Sequence, residues 1–171
     1  VAKFTRREFL AMTAVFGAEA AWSRSLPAPS KISRHERRDL FPEGVASGDP
    51  DSNSVLLWTR RSPQPEPAKE LTAEVALDEA FKQVIATQKV PLTADSDWTC
   101  RVLVGGLKPA QVYWYRFTDA QGNGSRVGRT ITAPTNDDPR PVRFAFVSCQ
   151  NENFGANNAY RRMIYEDERA P

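Results

Sequence analysis

The sequence predicts a mainly β chain: a fibronectin type III-like β-sandwich, followed by the first strand and helix of an α/β domain. Three observations carry this expectation. About six short runs of β-branched and aromatic residues, separated by turn residues, fall within residues 41–134. Leu107-Lys108-Pro109-Ala110-Gln111-Val112-Tyr113 has the spacing of a tyrosine corner, where a tyrosine near a strand start hydrogen-bonds back to the upstream turn. Beyond a polar, proline-bearing connector at 135–141, an apolar run gives way to a helix-periodic one over 142–171.

Taken from the N-terminus, residues 1–22 read as an export signal. Lys3, Arg6 and Arg7 precede an apolar stretch from Phe9 to Ala18, too short to span a bilayer but suited to a signal-peptide core. Ala18-Glu19-Ala20 then offers the small-x-small pattern of a cleavage site. Thr5-Arg6-Arg7-Glu8-Phe9-Leu10 is similar to the twin-arginine signal that carries folded proteins across a membrane, although Ala11 stands where that pattern often has lysine. An amphipathic N-terminal helix with two chance arginines is the alternative. The export reading makes the twin-arginine machinery a partner, the location periplasmic or secreted, and a stable membrane span unexpected.

The charge balance agrees with an address at the front. The 171 residues carry a net charge of +2, with 40% hydrophobic and 26% charged residues, as in a soluble globular protein. Residues 1–40 hold eight Lys/Arg against four Asp/Glu, whereas residues 41–171 hold fifteen against seventeen. The folded part is therefore slightly acidic and offers no basic patch for nucleic acid. Residues 23–40, with two prolines, many charges and little apolar periodicity, are expected to be a linker, and His35 within them a solvated side chain.

The sandwich is expected over 41–134. Ser54–Thr59 is the clearest strand, bounded by GDPDSN before it and a proline-rich RRSPQPEP after it. Further strands are expected at Leu71–Leu77, Val84–Val90, Thr99–Val104, Val112–Asp119 and Val127–Thr132. The stretch AFKQVIA fits a helical turn as well as a strand. Gly122-Asn123-Gly124 suits a hairpin tip, because both residue types tolerate positive φ. Trp58, Trp98 and Trp114 read as core or surface aromatics in preference to a carbohydrate platform, and Asp49 as a turn former in preference to a ligand.

After the connector, VRFAFVSC reads as a strand ending in Cys149. A polar loop then leads to a helix starting near Asn157 or Asn158, with Arg161 and Arg162 on its solvated face. Strand, loop and helix make half of a βαβ unit, and in such sheets ligands bind at the carboxyl ends of strands, where Ser148 and Cys149 fall. From spacing alone, Cys149 has two other readings: a buried small apolar residue, or half of a disulfide with Cys100.

Four segments together resemble the PhoD-like alkaline phosphatase family. They are FPEGVASGDPDSNSVLLWTR (41–60), the Leu-x-Pro-x-x-x-Tyr segment, VGRTITAP (127–134) and FVSCQN (146–151). The resemblance implies a sandwich preceding a calcineurin-like metallophosphoesterase domain that hydrolyses phosphate mono- and diesters with iron and calcium. It implies that Cys149 is the first metal ligand, and it leaves Gln150 and Asn151 as weaker candidates for orienting substrate or ligands. It also argues against a Cys100–Cys149 disulfide, since the two cysteines then belong to different domains. The family's Gly-Asp-x-x-Tyr motif and its later Asn-His and His motifs do not occur in these residues. By the resemblance, the chain corresponds to an N-terminal portion of the enzyme, without catalytic residues of its own and inactive by itself. A stand-alone sandwich acting as a binding or spacer module is the competing expectation.

Overall fold

Val55, Leu57 and Thr59 are buried while Leu56, Trp58 and Arg60 are half-exposed, so β4 (Val55–Arg60) has the two unlike faces of a strand laid on a core. The computed structural model to which this strand belongs describes residues 23–63, 65–141, 144–148 and 157–169. The chain divides into two units, Val1–Asn136 and Asp137–Pro171.

In the first unit β4 pairs antiparallel with β3 (Val45–Gly48) and β7 (Thr99–Val104) in a three-stranded sheet. Val55 lies opposite Val104 and Leu57 opposite Val102, which stacks inward side chains in rows. The second sheet has seven strands. Its order is β1 (Ser23–Ala28), β6 (Val84–Pro91), β5 (Glu70–Ala76), β8 (Val112–Thr118), β9 (Asn123–Gly124) and β2 (His35–Glu36), with β10 (Gly128–Ile131) also paired to β8. The core between the sheets holds Leu57, Leu71, Val75, Val104, Tyr113 and Phe117, none more than 1% exposed. Each such side chain stabilises the fold by about 1.5–3 kcal/mol relative to being left in water.

The tyrosine corner forms as its spacing predicts. The Lys108 amide donates to the Tyr113 hydroxyl at 2.8 Å, and Ala110, inside the turn, takes φ 48°. Asp49, between β3 and β4, lies at φ 45° and is exposed, which fits a turn-forming side chain. Trp98 packs against the main core and Trp114 against a small cluster of Ala76, Phe81 and Val84.

Three expectations need correction. Residues 23–40 are not a linker: β1 pairs antiparallel with β6, β2 pairs parallel with β9, and Leu40 is 3% exposed. Strands at a sheet edge need only backbone pairing, so they tolerate charges and proline and show no apolar alternation to be read. The hairpin tip also lies earlier than expected. Asp119 accepts hydrogen bonds from the amides of Gln121 and Asn123, Gly122 takes φ 85°, and Asn123–Gly124 already belongs to a strand. The AFKQVIA ambiguity resolves as turn then strand, because the Asp78 carboxylate accepts from the amides of Lys82 and Gln83 and closes the turn.

The third correction concerns the second unit. Phe144–Ser148 makes no ladder with any described residue, and Phe144 and Phe146 are 84% and 86% exposed. A strand is stabilised by a neighbour, and apolar alternation cannot supply one. The helix α1 (Asn158–Arg169) forms where its periodicity placed it.

Candidate functional site

Cys149, Gln150 and Asn151 lie outside the described residues, and so do Arg6 and Arg7. The described residues therefore include none of the sequence-nominated site residues. Around that position the structure describes the exposed run 144–148 and α1. In α1 the Asn157 carbonyl accepts from the Arg161 amide. Arg162 forms an ion pair with Glu166 one turn on, and its guanidinium lies 5.1 Å from the Tyr165 ring centroid. Arg169 stacks on the same ring at 3.4 Å. These arginines therefore serve helix-surface contacts, as the solvated-face reading expects. Tyr160 and Ile164, one turn apart, are 44% and 60% exposed.

Among the described residues no three His, Cys, Asp or Glu side chains converge on a position that could hold a metal ion. Nor is any helix among them long and apolar enough to cross a membrane. Cys100 is a packing residue. It is 1% exposed on β7, free of any disulfide among the described residues, and burial pushes its thiol up to about 12. A thiol so far from ionising is a poor nucleophile and a poor ligand.

Two buried ion pairs are found among the described residues of the first unit. Arg116 Nε donates to Glu74 Oε2 at 2.8 Å, and its other arm reaches the Ser30 hydroxyl at 2.8 Å. Ser30 in turn donates to Glu74 Oε1 at 2.6 Å, and the guanidinium lies 4.0 Å above the Phe81 ring. Arg61, just after β4, pairs with Asp119, just after β8, at 3.2 Å, both side chains being at most 5% exposed. Every carboxylate oxygen here has a donor, which is what lets charge remain in a dry interior. Ser30 was not singled out by sequence. Its role depends on a contact 44 residues away, and no local spacing signals it.

Two concavities among the described residues could admit a ligand. One, of about 290 Å³, is lined by Arg37, Leu40, Arg61, Glu66, Gln121 and Asn123. Its cations are engaged: Arg37 grips Asp39 at 2.6 Å and holds that carboxyl down at about 2, while Arg61 is held by Asp119. The other, of about 460 Å³, lies between β3 and β10, with Glu43, Ser47, Tyr115, Arg126, Gly128 and Arg129 in its walls. Neither holds the paired acid and base or the nucleophile that would mark a catalytic centre.

Residues 24–134 match the family described as PhoD-like phosphatase, N-terminal domain. Over 134 residues the sequence is 38% identical to alkaline phosphatase D of Bacillus subtilis (strain 168), a match that takes in 74% of this chain and 23% of that protein. A solved structure of PhoD superposes with a TM-score of 0.67 at 36% identity, covering 80% of this chain and 26% of that one. The chain thus spans about a quarter of the length of these relatives.

Proposed function

Since the chain belongs to the family of PhoD-like phosphatase N-terminal domains, we propose that it serves an exported alkaline phosphatase, contributing the sandwich and the start of the catalytic domain. The observation that carries this reading is the identity of 38% to alkaline phosphatase D, spread over more of the chain than the sandwich alone. The substrates would be phosphate mono- and diesters, which is the chemistry of that class.

Cys149 would hold iron in the complete enzyme. The test of fit is the chemistry of the donor. A thiolate is a strong ligand for trivalent iron, and metal binding deprotonates it well below a free pKa of about 8.5. Calcium needs about six to eight oxygen donors, and no acidic cluster of that kind exists among the described residues, so calcium would have to draw its ligands from elsewhere in the enzyme. When bound, the metals would lower the pKa of a water to make a hydroxide for in-line attack and would neutralise the phosphoryl oxygens. Gln150 and Asn151 would orient groups beside that site. One thiolate is too few ligands for such a centre, so these 171 residues assayed by themselves should show only background hydrolysis.

The decisive experiment is made in the whole phosphatase. Cys149→Ser should keep the fold but lose iron and most phosphodiester turnover, because a serine hydroxyl resists deprotonation at neutral pH. Full iron and full turnover in the variant would make Cys149 a packing residue. Export is tested separately: replacing Arg6 and Arg7 together with lysine should retain the protein in the cytoplasm, and unchanged fractionation would refute the twin-arginine signal.

A further inference from the structure

We infer that Ser23–Ser33 is a strap that opens as a unit, pivoting at Arg34, while the sandwich beneath it stays folded. The inference uses only the first unit and is independent of the phosphatase reading. The strap differs chemically from the elements it covers. Among its described side chains none is buried: Leu26 is 88% exposed, Pro27, Ala28 and Pro29 are exposed, and Ile32 is half-buried. Its hold is polar. β1 pairs with the β6 backbone in a ladder interrupted between Arg24 and Ala28, and the Ser30 amide donates to the Phe81 carbonyl at 2.9 Å. Fixing the backbone of one residue costs about as much free energy as one hydrogen bond returns net, so a strap that buries little apolar surface is held weakly.

The layer under Ser30 favours release. Glu74 and Arg116 are 3% and 10% exposed there, and the Ser30 hydroxyl bridges them. Uncovering an apolar layer would forfeit its burial, whereas an ion pair regains hydration when the strap lifts. The pair also survives the opening. Arg116 reaches Glu74 at 2.7 Å and lies 4.0 Å above the Phe81 ring, and neither contact involves the strap.

The strap ends where the hold changes character. The His35 amide donates to the Gly122 carbonyl at 2.8 Å and the Arg37 amide to the Gly124 carbonyl at 2.9 Å, after which Leu40 and Phe41 enter the core at 3% and 1% exposure. Arg34 marks the boundary. Its guanidinium donates to the Ser125 carbonyl at 3.1 Å, and Gly124 leaves the room in which its side chain lies, since a Cβ there would overlap it. Opened, roughly eleven residues extend about 36 Å. A segment ahead of Ser23 can then be drawn away from the sandwich without unfolding it. For residues 1–22 that slack would serve export, a use that rests on the export reading, whereas the opening itself does not.

Native-state hydrogen exchange on the 171-residue chain tests the opening, with the Arg37 amide as reference. The Ser30 and Ile32 amides should exchange at least about 100-fold faster than that of Arg37 after correction for intrinsic rates, and low urea should not accelerate them, because strap opening exposes little surface. Dilute trypsin should cut after the exposed Lys31 at a rate equally indifferent to urea. An apolar pair, Glu74→Leu with Arg116→Met, is then combined with Ser30→Ala so that no hydroxyl is orphaned. It should slow both the exchange and the cut by at least about fivefold, since opening must now uncover hydrocarbon. The inference is overturned if Ser30 exchange shows the urea dependence of Arg37, because the strap then opens only with the whole domain. It is also overturned if the apolar variant, shown to be folded by its Arg37 protection, opens as fast as the parent. Should that variant not fold, the urea dependence of the parent decides alone.

Discussion

The Tyr113 hydroxyl accepts the Lys108 amide at 2.8 Å, and Thr132 completes the same turn by donating its hydroxyl to the Lys108 carbonyl at 2.6 Å. The Gln111 amide also donates to Thr132 Oγ1, at 3.1 Å. Five residues of turn are thus tied to the strand they precede and to the chain leaving β10. A motif of local spacing closes one end of the sandwich through contacts of both short and long range.

Tyr113→Phe should weaken this closure without breaking it. The ring stays in the core, and the released Lys108 amide lies near enough to the surface for water to satisfy it. The cost should be about 0.5–1.5 kcal/mol, that of one ordinary hydrogen bond, and not the larger penalty of an orphaned buried group. Urea unfolding of variant and parent measures it; an unchanged midpoint would mean that the bond contributes nothing net.

The Glu74–Arg116–Ser30 cluster sets up a sharper contrast. Glu74→Ala leaves the Arg116 guanidinium, 10% exposed, without its counter-ion and should cost about 3–5 kcal/mol. Ser30→Ala removes only a hydroxyl that links the N-terminal arm to the pair, and about 1 kcal/mol is expected. A double-mutant cycle should show strong coupling between the two sites, since Ser30 Oγ touches both charged partners. Simple additivity would show that the arm is not held by this cluster.

How these elements could be read from sequence differs by kind. Ser54–Thr59 and Thr99–Val104 alternate because one face is packed and the other is not, and that leaves a period in the sequence. The Ser23–Ala28 strand leaves none, since an edge strand joined by backbone bonds asks little of its side chains. Ser30 was invisible for another reason: its partners are distant in sequence, and a serine after proline and alanine has many uses. For the proposed metal ligand the position was the reverse. The proposed role of Cys149 rests on resemblance alone, because a lone cysteine carries no spacing of its own, and the residue lies outside the described ones.

Gly128 gives a steric prediction. Any side chain there meets the Tyr115 ring, and that ring is buried in the core. Gly128→Val should therefore destabilise by about 1–3 kcal/mol, as overpacking does. Gly128→Val with Tyr115→Ala should recover part of the loss to overlap, although it opens a cavity. If the double variant is no better than the sum of the singles, the two residues do not clash.

Alkaline pH should unfold the first unit through groups that burial keeps protonated. Cys100 is pushed by burial from 9.0 to about 12, and Tyr115 by burial from 10.0 to about 12, the Ser47 hydrogen bond opposing the shift. Both shifts favour the neutral form in the folded state. Between the unfolded and folded values the native chain holds protons that the unfolded chain has released, so stability falls as pH rises. It should be level below about pH 9 and decline progressively toward about pH 12. Urea midpoints from about pH 8 to about pH 11 test this, with Cys100→Ala as control, since the variant should show a shallower decline from which only the tyrosine contribution remains. Parallel curves for parent and variant would mean that Cys100 ionises alike in both states and is not buried as described. The same burial makes the native thiol unreactive at neutral pH, whereas denatured, unreduced protein should show two free thiols by labelling and intact mass. A parent mass lower by two protons would instead join Cys100 to Cys149 and remove the thiolate from any metal.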